Sequence, residues 1–303
     1  MAYLIQYWLF RSFAFLLQSM TLHCVRITAR SLGLLAACCF PFRRSVIIEQ
    51  LQRAFPEKGR REISSIARQS YVNLVTTVCE LIWTPCLTRE TMDREMRLVN
   101  VEAVLRARER GHGIVFVTGH YGNWEWIPHP LTASLGIRIL AIVHPLHNVR
   151  VDAAVESYRR THGIRLVDMK HAAREALNAL HGGDAMLIVA DQSAPRESIF
   201  VRFLGRPAAT FKGPAMFALK TGAALIAVFS LRRADGGYDL LFREVPAGDL
   251  TGASDRNIGE LTRRHVKVLE SMVRERPGEW LWHHRRWKTA PDEASRIIED
   301  PMA

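Results

Sequence analysis

Residues 114–126 read IVFVTGHYGNWEW. The first five, Ile114 to Thr118, are apolar and mostly β-branched, with no alternation of polar and apolar positions, as in a short strand buried on both faces. The strand runs into Gly119-His120-Tyr121-Gly122, which puts an imidazole at a strand end between glycines that let a substrate approach the backbone. Four residues separate His120 from Glu125. If a helix starts near Gly122, the carboxylate folds back to hydrogen-bond one ring nitrogen and leaves the other as proton acceptor. The competing readings are a structural histidine and a zinc ligand. Zinc would want a second histidine at helical spacing, and none falls there, so no metal site is expected.

Outward from this stretch, similar apolar runs recur at Ile139 to Val143, Met186 to Ala190 and Leu225 to Phe229. Helical stretches separate them near Asn123 to Ser134, Val151 to Arg160 and Ala172 to Leu180. Strands alternating with helices imply an α/β fold, a central mixed sheet flanked by helices, with functional residues at strand ends. On the N-terminal side, a charged helix covers about Val101 to Arg110. Before it, residues 43–83 carry apolar positions Ile63, Ile66, Ala67, Tyr71, Leu74, Val75 and Val78 at helical spacing. Phe55-Pro56-Glu57-Lys58-Gly59 breaks that region into two helices.

The 303 residues carry 41 Lys and Arg against 30 Asp and Glu, a formal charge of +11. That balance favours a partner bearing phosphates or an anionic surface. Five cysteines, Cys24, Cys38, Cys39, Cys79 and Cys86, form no CxxC pair, which argues against a disulfide framework and a zinc site and for a reducing compartment.

Tyr3 to Leu22 is about long enough to span a bilayer. Arg11 near its middle costs about 2.5–3.5 kcal/mol there. Tyr7, Arg11 and Gln18 share one helical face, so a helix anchored in the membrane or entering it steeply is expected, making 1–42 an N-terminal anchor and 43–303 the main domain. Arg26, Arg30, Arg43 and Arg44 would keep the remainder of the chain in the cytoplasm. A cleaved signal lacks the charged start and cleavage site it needs. The apolar run before Leu35-Ala36-Ala37-Cys38 is too short for lipoprotein processing, and a core helix of a soluble protein is the bland alternative.

The string GHYGNWEW after a buried strand resembles a block of the bacterial lipid A biosynthesis late acyltransferases, a branch of the H-x4-D/E acyltransferases. Further similar strings occur in order: Ala54 to Glu57 (AFPE), Asp191-Gln192 at a strand end, 201–210 (VRFLGRPAAT) before Gly213-Pro214, and 280–288 (WLWHHRRWK). The likeness spans about residues 1–290. It implies a glycerolipid acyltransferase-like domain that moves an acyl group from an acyl carrier protein or coenzyme A thioester, with no other cofactor, onto a hydroxyl of a lipid A precursor. The reaction would occur at the cytoplasmic side of the inner membrane. His120 carries over as general base and Glu125 as its partner, with Asn123, Asp191 and Gln192 as substrate-binding residues. Backbone amides of the 202–213 loop, or an arginine, would stabilise the oxyanion.

Arg202, Arg206 and Lys212 surround a glycine-containing loop and are candidates to hold phosphates, or else a solvated basic face. Trp280, Trp282 and Trp287, interleaved with Arg285, Arg286 and Lys288, read either as an interfacial belt or as core. One departure from the family is His144-Pro145, where many members have an arginine before the proline. Two other functions stay open: the same chemistry on a lysophospholipid, glycolipid or aminolipid, and a non-catalytic basic protein that binds membrane or nucleic acid. Against the latter, no nucleic-acid motif appears.

Overall fold

A computed structural model describes residues 1–300 except 41, 170, 195–197 and 294. Four helices come first: α1 (Ala2–Gln18), α2 (Leu22–Cys39), α3 (Arg44–Ala54) and α4 (Arg60–Trp83). Next come α5 (Arg89–Glu95), β1 (Met96–Val99), α6 (Glu102–Glu109), β2 (Ile114–Thr118), α7 (Pro128–Ala133), β3 (Ile139–Val143), α8 (Val149–Arg159), β4 (Arg165–Asp168), α9 (Ala172–His181) and β5 (Ala185–Val189). The chain continues through β6 (Ser198–Phe203), β7 (Arg206–Phe211), α10 (Gly213–Thr221), β8 (Ala224–Arg232), β9 (Tyr238–Glu244), α11 (Asp255–Glu275) and β10 (Ile297–Ile298).

Among the described residues, seven strands form a mixed sheet in the order β1-β9-β8-β2-β5-β3-β4, and β10-β6-β7 form a small second sheet. Within the large sheet β8, β2, β5, β3 and β4 run parallel and β9 runs against β8. The α/β fold with a central mixed sheet is therefore as expected, and β2 and β3 occupy the expected residues. Strand β2 lies at the centre with all five residues buried. Its lack of alternation has a physical counterpart: Val115 and Val117 belong to one core cluster, Ile114 and Phe116 to the cluster on the other face.

The helix expected from Asn123 to Ser134 is divided. Trp124–Trp126 form a single 3-10 turn capped by the Asn123 side chain, and α7 starts only at Pro128, a residue suited to a helix's first turn and unsuited to its interior.

The N-terminal helix expected over Tyr3 to Leu22 is also divided, at the Ser19–Thr21 link. Among the described residues, the helix long and apolar enough to cross a membrane is α2, over Leu22–Cys39. It packs along α4 through Leu22, Val25, Ala29, Gly33 and Ala37. At Gly33 the approach is so close that a Cβ would lie 2.7 Å from the Val72 Cα, so any larger residue forces the two helices apart. Its opposite face leaves Ile27, Leu34 and Leu35 exposed, as α1 leaves Leu4, Trp8 and Phe15.

Helix α4 turns a polar stripe inward. Ser70, Asn73, Thr77, Glu80 and the following Thr84 recur at intervals of three and four and are all buried. Val78, expected on the buried side, is 42% exposed, and Leu74 and Val75 are only half-buried. The stripe faces the turn that carries His120.

Candidate active site

The turn after β2 is held by that stripe. Asn73 Nδ2 (3.2 Å) and Thr77 Oγ1 (3.0 Å) both donate to the Gly122 carbonyl, and Gly122 N donates to the Glu279 carbonyl at 2.9 Å. Gly122 has φ +57°, and a Cβ there would fall 1.6 Å from the Ser230 carbonyl oxygen on β8, so only glycine allows this approach. Below it, Asn123 is fully buried. Its Oδ1 accepts from Trp126 N at 3.2 Å, and its Nδ2 donates to Glu80 Oε2 at 2.9 Å. Expected to bind substrate, Asn123 instead caps the 3-10 turn, with no surface left for a ligand.

Glu80 gathers partners from distant parts of the chain. Arg26 of α2 donates to it at 2.8 Å, Arg232 of β8 lies 3.3 Å away, and the Tyr238 hydroxyl also donates to it. Burial alone would raise the Glu80 pKa, but the two guanidinium charges hold it below the ordinary carboxylate value.

At the other end of the turn, His120 Nδ1 lies 2.7 Å from Asp191 Oδ1, at the C-terminal end of β5, the strand next to β2. Asp191 Oδ2 also accepts from the His120 backbone N–H at 2.7 Å and from Trp280 Nε1 at 2.8 Å. Asp191 is buried, whereas the His120 side chain is 20% exposed. Burial pushes the His120 pKa down, but the Asp191 charge and hydrogen bond, with a smaller contribution from Glu125, bring it above the ordinary 6.5. Asp191 is displaced in the opposite sense, below its ordinary value, because His120 outweighs burial. The arrangement is a base with one nitrogen held by a carboxylate and the other turned outward. Beside that outer Nε2, at 3.4 Å, stands the Gln192 side-chain amide.

The expected His120–Glu125 hydrogen bond does not form. Because Glu125 sits on a 3-10 turn instead of in a continuous helix, its carboxylate points to α8, where Arg159 grips it with two bonds of 2.7 and 2.9 Å. Trp124 Nε1 adds a third at 3.2 Å. The pair is mostly buried, at 21% and 12% exposure, and its charges are near enough to act on His120. Arg159 was missed in the sequence, where it is one arginine among many.

The three expected phosphate ligands do not converge. Arg202 and Arg206 flank the two-residue turn Leu204-Gly205 of the β6–β7 hairpin, in which Phe203 pairs with Arg206 and Arg202 with Pro207. Successive strand residues face opposite ways, so the two arginines end on opposite faces. Arg202 pairs with Glu299, whereas Arg206 lies 4.6 Å from the Trp287 ring centre. Lys212 stands at the N-cap of α10. Residues 202–211 are thus hairpin rather than open loop, with amides engaged in β6–β7 pairing and the Leu204 N–H donating to Glu270 at 3.0 Å.

Nor is the C-terminal tryptophan segment an interfacial belt. Trp280 is 2% exposed and Trp282 is fully buried. Arg286, read in the sequence as part of that belt or core, is 1% exposed and donates to the Gln192 carbonyl at 3.4 Å and to Thr210 Oγ1 at 2.6 Å. Burial without a directly bonded carboxylate pulls its pKa down to about 10. His144 does not pack against the core. It is exposed, with Nδ1 3.1 Å from the Pro145 carbonyl. Among the described residues no three of His, Cys, Asp or Glu gather as a metal-binding group.

A buried strand ending in a partly exposed imidazole, oriented by a buried acid, has the geometry a general base needs, and comparison with known proteins gives the class of reaction. The sequence model of the bacterial lipid A biosynthesis acyltransferases matches residues 1–289, and the chain belongs to that family of enzymes. It is 25% identical over 273 residues to the lipid A biosynthesis palmitoleoyltransferase of Escherichia coli (strain K12), covering 86% of this chain and 83% of that one. With the lipid A biosynthesis lauroyltransferase of the same strain it shares 24% over 275 residues, 86% of this chain and 84% of the other. A phosphatidylinositol mannoside acyltransferase of Mycolicibacterium smegmatis is 20% identical over 209 residues, 67% of this chain and 66% of that one.

Proposed function

We propose that the protein transfers a fatty acyl group from an acyl carrier protein or coenzyme A thioester to a hydroxyl of a lipid A precursor, at the cytoplasmic face of the bacterial inner membrane. The observation that carries the reading is the His120–Asp191 contact in a chain of this family. His120 Nε2 takes the proton of the acceptor hydroxyl as its oxygen attacks the thioester carbonyl. When the C–S bond breaks, the imidazolium returns that proton to the leaving thiolate. Asp191 holds the ring and stabilises its charged form, a role that with general-base catalysis supplies about 10²–10⁴ in rate. Gln192, beside Nε2, orients the hydroxyl. Glu125 is displaced from its expected place on the ring and acts from the side, with Arg159 as its counter-ion. Direct attack is favoured over a covalent enzyme intermediate because the side chains hydrogen-bonded to His120, Asp191 and Gln192, are not nucleophiles of the serine or cysteine kind.

The exposed apolar sides of α1 and α2 fit a helix pair lying in the membrane interface with the catalytic domain against it. A glycolipid acceptor is the second reading, supported by the mycobacterial relative's name and by the exposed His144 where many family members carry arginine. Release of free thiol from acyl-carrier-protein and acyl-coenzyme A donors by the purified protein, with a lipid A precursor and then a glycolipid as acceptor, tests the assignment. Turnover with the lipid A precursor that disappears in His120→Ala supports it, and turnover with the glycolipid alone replaces it.

A further inference from the structure

Against the C-terminal segment lies a cavity of about 300 Å³, between α3 and Trp287. Four cations line it, Arg53, Arg206, Arg285 and Lys288, against one carboxylate, Glu49. That carboxylate is already taken by Arg53 at 3.0 Å. Among the described residues no ion pair satisfies Arg206, Arg285 or Lys288. Arg206 is partly buried, with its guanidinium laid on the Trp287 ring, which fixes its direction. Burial and the like charge of Arg53 both pull its pKa down. Clustered cations repel one another unless an anion shares the space, and guanidinium groups match phosphate oxygens. The volume is at the lower end of the range for ligand clefts.

Residues 284–288 touch both the loop after Asp191 and the cavity. His284 Nε2 accepts from Ser193 N at 3.0 Å, and Arg286 reaches the Gln192 carbonyl, so these two side chains hold the loop after Asp191. Their neighbours Arg285, Trp287 and Lys288 face the cavity. Gln50 of α3 ties the two sides, accepting from Arg286 N at 2.9 Å and donating to the His284 carbonyl at 3.0 Å.

From the geometry we infer that this cavity binds a phosphate group carried by a substrate, with Arg206 and Arg285 as its principal ligands. The inference rests on the acyltransferase reading and adds a recognition site to it. The phosphate belongs either to a phosphorylated sugar headgroup of the acceptor or to the pantetheine arm of the donor, and the kinetics distinguish them.

The test uses the full chain in detergent and an Arg206→Gln/Arg285→Gln double variant, with Arg61→Gln as a control for lost surface charge elsewhere. Binding of inorganic pyrophosphate is measured by calorimetry, and KM is measured for acceptors with and without phosphate and for donors with and without it. The double variant should weaken pyrophosphate binding about tenfold or more, the scale of a lost charge-assisted contact. It should also raise KM for one phosphorylated substrate by a similar factor, with no rise for its dephosphorylated counterpart, and that substrate is the source. Equal pyrophosphate binding by wild type and variant, with KM shifts below twofold for every substrate, overturns the site. Absence of thiol release from the wild type with any acceptor would sink the acyltransferase reading instead, and pyrophosphate binding would still decide whether the cavity takes phosphate.

Discussion

Two carboxylates are buried close to the same turn, and they are set up for opposite tasks. Asp191 is 4% exposed, and its partners are an imidazole, an indole and a backbone amide. Glu80 is fully buried, and its partners are two arginines, a phenol and the Asn123 amide. Both are held below their ordinary pKa. The difference lies in what holds them. Guanidinium groups do not give up their protons at any ordinary pH, so the Glu80 cluster is a fixed joint. The imidazole beside Asp191 can gain or lose its proton and keeps an edge toward solvent, so this pair can exchange a proton where the Glu80 cluster cannot. Burial depth alone does not separate a fixed joint from a pair that can titrate.

The largest effect is expected at Asp191. Asp191→Asn should lower kcat by about 10⁴, the scale for loss of an orienting carboxylate from a catalytic histidine. Thiol-release kinetics at saturating donor read this, and a near-normal rate there together with an inactive Glu125→Gln would return the partner role to Glu125. Glu80→Ala should leave Arg232 without its paired carboxylate and Arg26 with Glu95 alone. The expected loss is about 3–5 kcal/mol of stability, seen as a lower urea midpoint, while molecules still folded at low temperature keep most of their turnover. An unchanged midpoint would show that the cluster is not a joint.

The pH dependence sharpens the contrast further. With the His120 pKa raised, kcat/KM should climb with pH through a value above 6.5, because the base works only when neutral. The sign for stability is the reverse. The raised pKa contributes stability that is fully present below about 6.5 and is lost as pH rises through the folded value. Removing the carboxylate in Asp191→Asn should move the acid limb of any residual activity to lower pH, whereas Glu80→Ala should leave that limb in place. The smallest effect is expected at Arg202, whose exposed pairing with Glu299 lies on the hairpin face away from Arg206: Arg202→Ala should change neither Tm nor thiol release measurably.

The sheet was legible because a strand buried on both faces writes an uninterrupted apolar run, and β2 and β3 begin and end where those runs do. His120 was legible for a related reason, being the polar residue where such a run stops. Its partner was not: Asp191 lies 71 residues away, and only the crossover that places β5 beside β2 brings them together. Local spacing favoured Glu125, which a continuous helix would have turned back toward the ring, but the two prolines at 128 and 130 delay the helix. The stripe Ser70, Asn73, Thr77 and Glu80 was hidden by the rule that polar residues face water. Its three-and-four spacing was visible, but without the turn it serves that spacing had no meaning.

The reach of Arg26 into the Glu80 cluster bears on how the protein can be handled. Trimming the first 42 residues to obtain a soluble catalytic core would remove a guanidinium from a buried carboxylate and strip the helix packed against Val72. The greasy N-terminus is thus a keystone as well as a candidate mooring, and a shortened chain would be less stable around Glu80 and α4.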